Sequence, residues 1–433
     1  MSKIDRRSFI STSVAAAAAG IAATALPQSA DAQENHCGPL PAPIAALPSR
    51  KAEATPISTA EREQRQQRAR ELMRENHLDA IFMIGGTSLL YFTGVRWWNS
   101  ERLGAFVMTS NGDGFWVAPS FEEGRLREQL ADAPAGANAK VLTWQEDEDP
   151  YRLVAQGLRD AGISTGSLGI EERTTYVFVE GTAKAAPNVK IASATPVTAG
   201  CRMIKSDHEL ALMQLANSVT LQAYEAAWKS LREGMTQSMF AHLVSAAHAQ
   251  LGFQGDASVQ VGAYSALPHG SLTPQIVRDG AILLIDGGCK VEGYESDISR
   301  TFVLGRPTDK MRKVFDIVKQ AQSAALKAAR PGVEAQSVDA AARKVIADAG
   351  YGPAYKYFTH RLGHGIGMDG HEWPYLVGGD TVALRPRMCF SDEPGIYLKG
   401  DFGVRLEDDM HITEDGAKLF TPQSESLEHP FGP

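Results

Sequence analysis

Ile282-Leu283-Leu284-Ile285 runs without interruption into Asp286-Gly287-Gly288. A short apolar run closed by glycines reads as a buried strand. The chain therefore has to carry a carboxylate at the end of its own core. Asp297 follows eleven residues on, in Glu295-Ser296-Asp297-Ile298-Ser299-Arg300-Thr301. Glu393 sits in Phe390-Ser391-Asp392-Glu393-Pro394-Gly395-Ile396-Tyr397, and Glu407 ends Gly403-Val404-Arg405-Leu406-Glu407. Glu393 and Glu407 both lie in apolar, strand-like settings, where an unpaired charge is costly to bury. Any fold of this chain must find partners for these four acids.

Taken singly, each acid has an ordinary use. Asp286 can open a turn, Asp297 can pair with Arg300, and Glu393 and Glu407 can lie on the surface. The histidines change the balance. His360, His364 and His371 fall within twelve residues of a chain that has 11 histidines, and Gly363 and Gly365 flank His364. Glycines there permit close backbone approach to a bound group. Two short antiparallel strands would set Asp286 beside Asp297. Together Asp286, Asp297, His364, Glu393 and Glu407 offer four carboxylates and one imidazole. A single Zn²⁺ needs three or four ligands, whereas four carboxylates suit two divalent ions. Oxygen-rich ligation leans to Mn²⁺ or Co²⁺, with Zn²⁺ or Fe²⁺ as alternatives. Hydrolysis is the natural reaction class. Residues 365–370 also spell GxGxxG, but no apolar strand leads into them and Pro374 follows, so a dinucleotide site is rejected. His364 and His371 do not form HExxH.

The formal charge is −8 and no block of like charge dominates, so nucleic acid is not an expected partner. Cys37, Cys201, Cys289 and Cys389 are far apart and form no CxxC; buried free thiols are expected. Residues 1–32 read as a targeting segment. Arg6-Arg7 precede a weakly apolar Ala/Gly/Thr run to Leu26, and Ala30-Asp31-Ala32 is a small-x-small cleavage site. This pattern predicts export through the twin-arginine (Tat) machinery to the periplasm or medium. The run is too short for a stable membrane span, and there is no other candidate.

Residues 33–57 carry five prolines and read as a mobile leader. Ser58 or Thr59 caps a helix from Glu61 to Asn76. An apolar strand, Ala80–Ile84, follows. Ala105–Met108 and Phe115–Ala118 flank Asn111-Gly112-Asp113-Gly114, a hairpin signal. Helical patterns near 121–131 and 151–161 alternate with strand patterns near 140–143 and 167–171. An α/β domain thus spans 58–200. An α+β domain occupies 201–433. It has helices over Ser206–Glu233 and near 236–251, 308–329 and 336–349, with strands near 257–263, 281–286 and 297–304.

The ordered motifs resemble the pita-bread metallopeptidases: methionine aminopeptidase, aminopeptidase P and prolidase. The matching pieces are Pro268-His269-Gly270, Asp286-Gly287-Gly288, Ser296-Asp297-Ile298-Ser299-Arg300-Thr301, Gly363-His364-Gly365-Ile366-Gly367, Glu393-Pro394-Gly395-Ile396-Tyr397 and Gly403-Val404-Arg405-Leu406-Glu407. Residues 60–200 resemble the N-terminal domain of the aminopeptidase P, prolidase and creatinase group. Tyr91-Phe92-Thr93-Gly94 is its most recognisable piece, and Arg202-Met203-Ile204-Lys205-Ser206 with Glu209 looks like the entry into the catalytic domain. Methionine aminopeptidases lack that domain, which points to the proline-directed branch.

The resemblance implies a pita-bread catalytic domain holding two metal ions. Asp286 would chelate the first ion, His364 and Glu393 the second, and Asp297 and Glu407 would bridge them. A hydroxide between the metals would attack the carbonyl before proline, with Glu393 as proton shuttle. His269, His360 and His371 would orient substrate and stabilise the oxyanion. Arg405 would support the metal-binding acids or form a plain salt bridge. The implied substrate is a peptide with proline at position two, cut by a Xaa-Pro aminopeptidase or dipeptidase. The implied assembly is a homodimer or homotetramer. Trp97-Trp98 would reach a neighbouring subunit's site or simply pack. Two other readings share the fold: a hydrolase or lyase of small non-peptide substrates, and a metal-free binding protein. The complete ligand set disfavours the second.

Overall fold

The computed structural model describes residues 38–431 apart from Asp113. The twin-arginine segment, Cys37 and Asp113 lie outside the described residues. Residues 38–40 carry no regular structure.

From Pro41 on, the chain forms one unit. Its first layer is a six-stranded sheet, ordered Lys140–Trp144, Phe115–Pro119, Ala105–Thr109, Ala80–Ile84, Gly166–Ile170, Val189–Ser193. The strand Ala80–Ile84 is central and fully buried, as its unbroken apolar sequence requires. Ala105–Thr109 pairs antiparallel with Phe115–Pro119, as the turn residues predicted. Ser58 caps the helix Thr59–Glu75 reciprocally with Glu61. Helices at Thr87–Thr93, Tyr176–Ala185 and Thr195–Arg202 were not foreseen.

The second half begins with another capping box, Ser206 with Glu209, at the helix Asp207–Trp228. This helix and Gln237–Leu251 pack on a sheet of Gln254–Val261, Ile282–Val291 and Ile298–Val303, and share one core with it. A five-stranded sheet holds Gly363–Gly365, Cys389–Asp392 and Asp408–Ile412 at its centre, and Gly395–Leu398 pairs with Phe402–Arg405. The helices Asp309–Ala328 and Ala335–Ile346 pack with these strands in a second core.

The proline-rich stretch departs from expectation. Residues 41–57 form a short helix, Ala42–Ala45, and a turn at Lys51–Glu53. Ile44 is fully buried, Arg50 N–H donates to Leu251 O (2.8 Å) and Arg50 Nη1 to Ser218 Oγ (3.0 Å). An apolar anchor and one arginine fix a chain whose prolines already restrict it. Cys201, Cys289 and Cys389 are buried free thiols. No helix of the described residues is long and apolar enough to cross a membrane.

A buried ion cluster joins the two halves. Arg202 Nη2 lies 2.5 Å from Glu372 Oε1 and 2.6 Å from Asp369 Oδ2, and Lys205 Nζ lies 3.2 Å from Glu372 Oε2. Burial opposes the Glu372 charge, yet Lys205 and Arg202 hold its pKa down at about 2. A depressed carboxyl stabilises the native state fully above its unfolded value near 4.5 and loses that contribution as pH falls through about 2. Glu372→Gln is therefore expected to cost about 3–5 kcal/mol at neutral pH, because it leaves the buried Lys205 ammonium without a carboxylate, while Arg202 keeps only Asp369. Denaturant unfolding should show the gap from wild type narrowing as pH falls below 4.5 toward about 2.

Candidate metal centre

Every candidate residue lines one cavity of about 180 Å³: His269, Asp286, Asp297, His360, His364, His371, Glu393, Arg405 and Glu407, joined by Arg361. Strand pairing brings them together. Asp286 lies opposite Ser299 on the adjacent antiparallel strand, and Asp297 immediately precedes that strand. His364 sits on Gly363–Gly365. The flanking glycines serve neighbouring strands rather than a bound group. A Cβ on Gly363 would lie 2.0 Å from Ser391 O, and one on Gly365 2.7 Å from Glu372 O.

Three overlapping sets of ligand atoms each fall within 4.8 Å: Asp286–Asp297–Glu407, His364–Glu393–Glu407 and Asp297–His364–His371. His364 Nε2 is 3.3 Å from Glu393 Oε1 and 3.8 Å from Asp297 Oδ2. Its Nδ1 lies 3.1 Å from Gly365 O, which assigns the proton to Nδ1 and leaves Nε2 as an electron-pair donor facing the acids. Burial and the adjacent His371, stacked at 3.7 Å between ring centroids, push the His364 pKa down to about 3. It is neutral at physiological pH, the state a metal ligand needs.

The acids divide unequally. Arg405 Nη2 lies 2.6 Å from Asp286 Oδ2, and Ser299 Oγ lies 2.7 Å from Asp286 Oδ1 and 2.6 Å from Glu407 Oε2. Burial raises the Asp286 pKa, but Arg405 and Ser299 outweigh it and hold it below the usual range. Asp297 is pushed well up by burial and the Asp286 charge, Glu407 by burial and the Asp297 charge, and Glu393 is raised to about 8, chiefly by burial. Arg405 thus serves one side of the cluster and leaves the other short of positive charge. The donor set is four carboxylates and one neutral imidazole around one cavity. It fits divalent cations, which would neutralise that excess.

His360 bonds Tyr397 OH through Nε2 (2.7 Å) and Arg361 O through Nδ1 (2.8 Å), with Glu393 Oε2 3.7 Å from Nδ1. Burial and the Arg405 charge lower its pKa to about 3. Tyr397 OH also accepts from Arg405 Nη1 at 3.0 Å. His269 and His371 lie at the exposed rim. Arg300, offered above as a partner for Asp297, instead pairs with Asp408 at 2.7 Å. Arg361, Tyr397 and Ser299 were not assigned from sequence, although Tyr397 and Ser299 stand within motifs quoted there.

Residues 211–414 match the model of metallopeptidase family M24, and residues 65–204 that of the creatinase/prolidase N-terminal domain. A Xaa-Pro dipeptidase of Lactobacillus delbrueckii subsp. lactis is 34% identical over 364 residues, covering 82% of this chain and 96% of the relative. The chain belongs to metallopeptidase family M24. Among solved structures, dipeptidase PepE of Mycobacterium ulcerans is 32% identical with a TM-score of 0.80, covering 86% of this chain and 99% of that one. The X-Pro aminopeptidase of Thermotoga maritima is 28% identical with a TM-score of 0.72, covering 84% and 99%. This M24 member therefore has a creatinase-type N-terminal domain, a pita-bread catalytic domain and the hydrolase character of its family, which implies divalent metal.

In chelator-treated protein the raised acids bind more protons when folded than when unfolded. Stability should fall as pH rises from 4.5 through about 8, the window set by Glu393. Glu393→Gln is expected to flatten that slope and to stabilise the metal-free protein at pH 8 by on the order of 1–3 kcal/mol. Denaturant midpoints across the pH series check this.

Proposed function

We propose that this chain is an exported, metal-dependent exopeptidase that hydrolyses the bond before proline in Xaa-Pro substrates, with dipeptides preferred. The convergence of Asp286, Asp297, His364, Glu393 and Glu407 on one cavity carries the reading. The names of the similar Xaa-Pro dipeptidases support its substrate class. These five residues would hold two divalent ions, Mn²⁺ by preference for oxygen donors. When bound, the ions supply a water of lowered pKa and Lewis-acid polarisation of the scissile carbonyl.

The chain's own groups do the rest. Arg405 and Ser299 keep Asp286 ionised and oriented. Glu393 takes a proton from the attacking water at a carboxylate oxygen and delivers it to the leaving proline nitrogen. His269 and His371 at the rim donate toward the carbonyl oxygen as negative charge develops. His360, fixed by Tyr397, braces the wall beside Glu393. Proline has no amide N–H, so a site for its imide bond needs no acceptor there.

Arg361 favours dipeptides. Its guanidinium lies over the Tyr375 ring at 4.3 Å, and among the described residues no carboxylate lies within 4 Å of it. A free cation on the wall of a cavity of about 180 Å³ suits the carboxylate of the proline itself.

The test is cleavage of a Xaa-Pro dipeptide, its C-terminal amide and a Xaa-Pro-Xaa tripeptide by Mn²⁺-loaded protein, with a chelator control. Chelator-sensitive release of the first residue is expected, fastest from the dipeptide. Arg361→Ala should raise KM for the dipeptide about 10–100-fold and leave the amide little changed. An occupied metal site with no cleavage of any of these would move the assignment to a small non-peptide substrate. Export rests on Arg6-Arg7. A reporter fused to residues 1–32 should stay inside the cell when both become lysine. A homodimer or homotetramer belongs to the same proposal, on family resemblance.

A further inference from the structure

The 94–98 loop builds a second pocket, apart from this chain's own catalytic cavity. This cavity of about 380 Å³ is lined by Leu90, Arg96, Trp97, Trp98, Arg125 and Met368, among others. Trp97 and Trp98 stack in near-parallel planes, 13° apart with centroids at 6.2 Å, and the Arg125 guanidinium lies 3.8 Å from the Trp98 centroid. Trp98 is 50% exposed. A half-exposed tryptophan held in a stack offers a ring-binding surface at the mouth of the pocket.

The charges point the same way. The chain has an excess of acids, and many of its arginines lie within 4 Å of a carboxylate. Arg96 and Arg125 do not, among the described residues. Neither does Arg62, whose Nε is buried without a partner. Arg62 packs against Gly94: a Cβ there would lie 2.8 Å from its Cζ. Burial lowers its pKa, and so do the charges of Arg65 and Arg96, against an opposing pull from Glu61 and Tyr294. The third cation that lines the pocket, Lys290, is already paired with Glu295 at 2.6 Å. Two arginines on the pocket wall with no carboxylate within 4 Å among the described residues leave a place for an anion.

We propose that this pocket is a second, non-catalytic binding site for a small ligand that joins a planar ring to an anionic group, the ring on the Trp97–Trp98 stack and the anion on Arg96 and Arg125. It is lined by none of the residues that line the catalytic cavity, although Met368 of the pocket and His371 of the cavity lie on one loop.

Isothermal titration of the metal-loaded full chain tests this with four probes: 3-phenylpropionate, phenyl phosphate, benzyl alcohol and inorganic phosphate. Saturable binding of the first two is expected, and their relative affinity separates a carboxylate from a phosphate ligand. The ring without charge and the charge without ring should each bind at least about 10-fold more weakly. Trp98→Ala and the double variant Arg96→Ala/Arg125→Ala should each weaken the ring-bearing anions at least about 10-fold. Both alter exposed side chains, and an unchanged Tm checks folding. Three results would overturn the proposal: no saturable binding of either ring-bearing anion up to about 10 mM; affinities unchanged by the substitutions, which would place the probes on the catalytic metals; or inorganic phosphate binding as tightly as phenyl phosphate.

Discussion

Like charges in a low-dielectric pocket repel strongly, and four carboxylates around one cavity organise much of the catalytic domain. Arg405 lies nearest Asp286, at 2.6 Å against 3.9 Å for Glu407, and reaches it from a strand paired with the one that carries Tyr397. Behind the cavity Arg300, fully buried, pairs with Asp408 and donates to Glu407 O at 2.8 Å. Those two arginines pin the backbone that presents Glu407 while leaving the cavity side of Asp297, Glu393 and Glu407 electrostatically unsatisfied. That remaining imbalance is what makes the site fit for divalent cations.

The wall that carries His360 and Arg361 is held from outside the cavity. Arg343 on the helix Ala335–Ile346 donates to Phe358 O at 3.0 Å and to His360 O, while its partner Asp339 accepts from Leu362 N–H at 2.9 Å. A helix that supplies no group to the reaction thus sets the position of two cavity side chains. The ion cluster of Arg202, Lys205, Asp369 and Glu372 plays the corresponding part for the loop leading to His371.

Much of this was legible in the sequence. Capping boxes at Ser58 and Ser206 and the apolar run Ala80–Ile84 marked their elements, and the nine site residues were read off their motifs. The misses have physical causes. Thr87–Thr93 is a seven-residue helix with nearly every residue buried, so it shows no amphipathic period. The proline-rich stretch looked mobile because its one strong anchor, Ile44, finds its partners in helices far along the chain.

What the sequence determined by itself was the inventory: donors of the right kind, in an order that fits two divalent ions, on strands too apolar to leave them unpaired. What only the tertiary structure decided was the pairing. Arg300 goes to Asp408 and not Asp297, Arg405 goes to Asp286, and Arg361 among the cavity arginines is left free for a ligand. Coulomb energy depends on separation through space. Residues adjacent in sequence alternate faces along a strand, so their spacing names the charges without saying which of them meet.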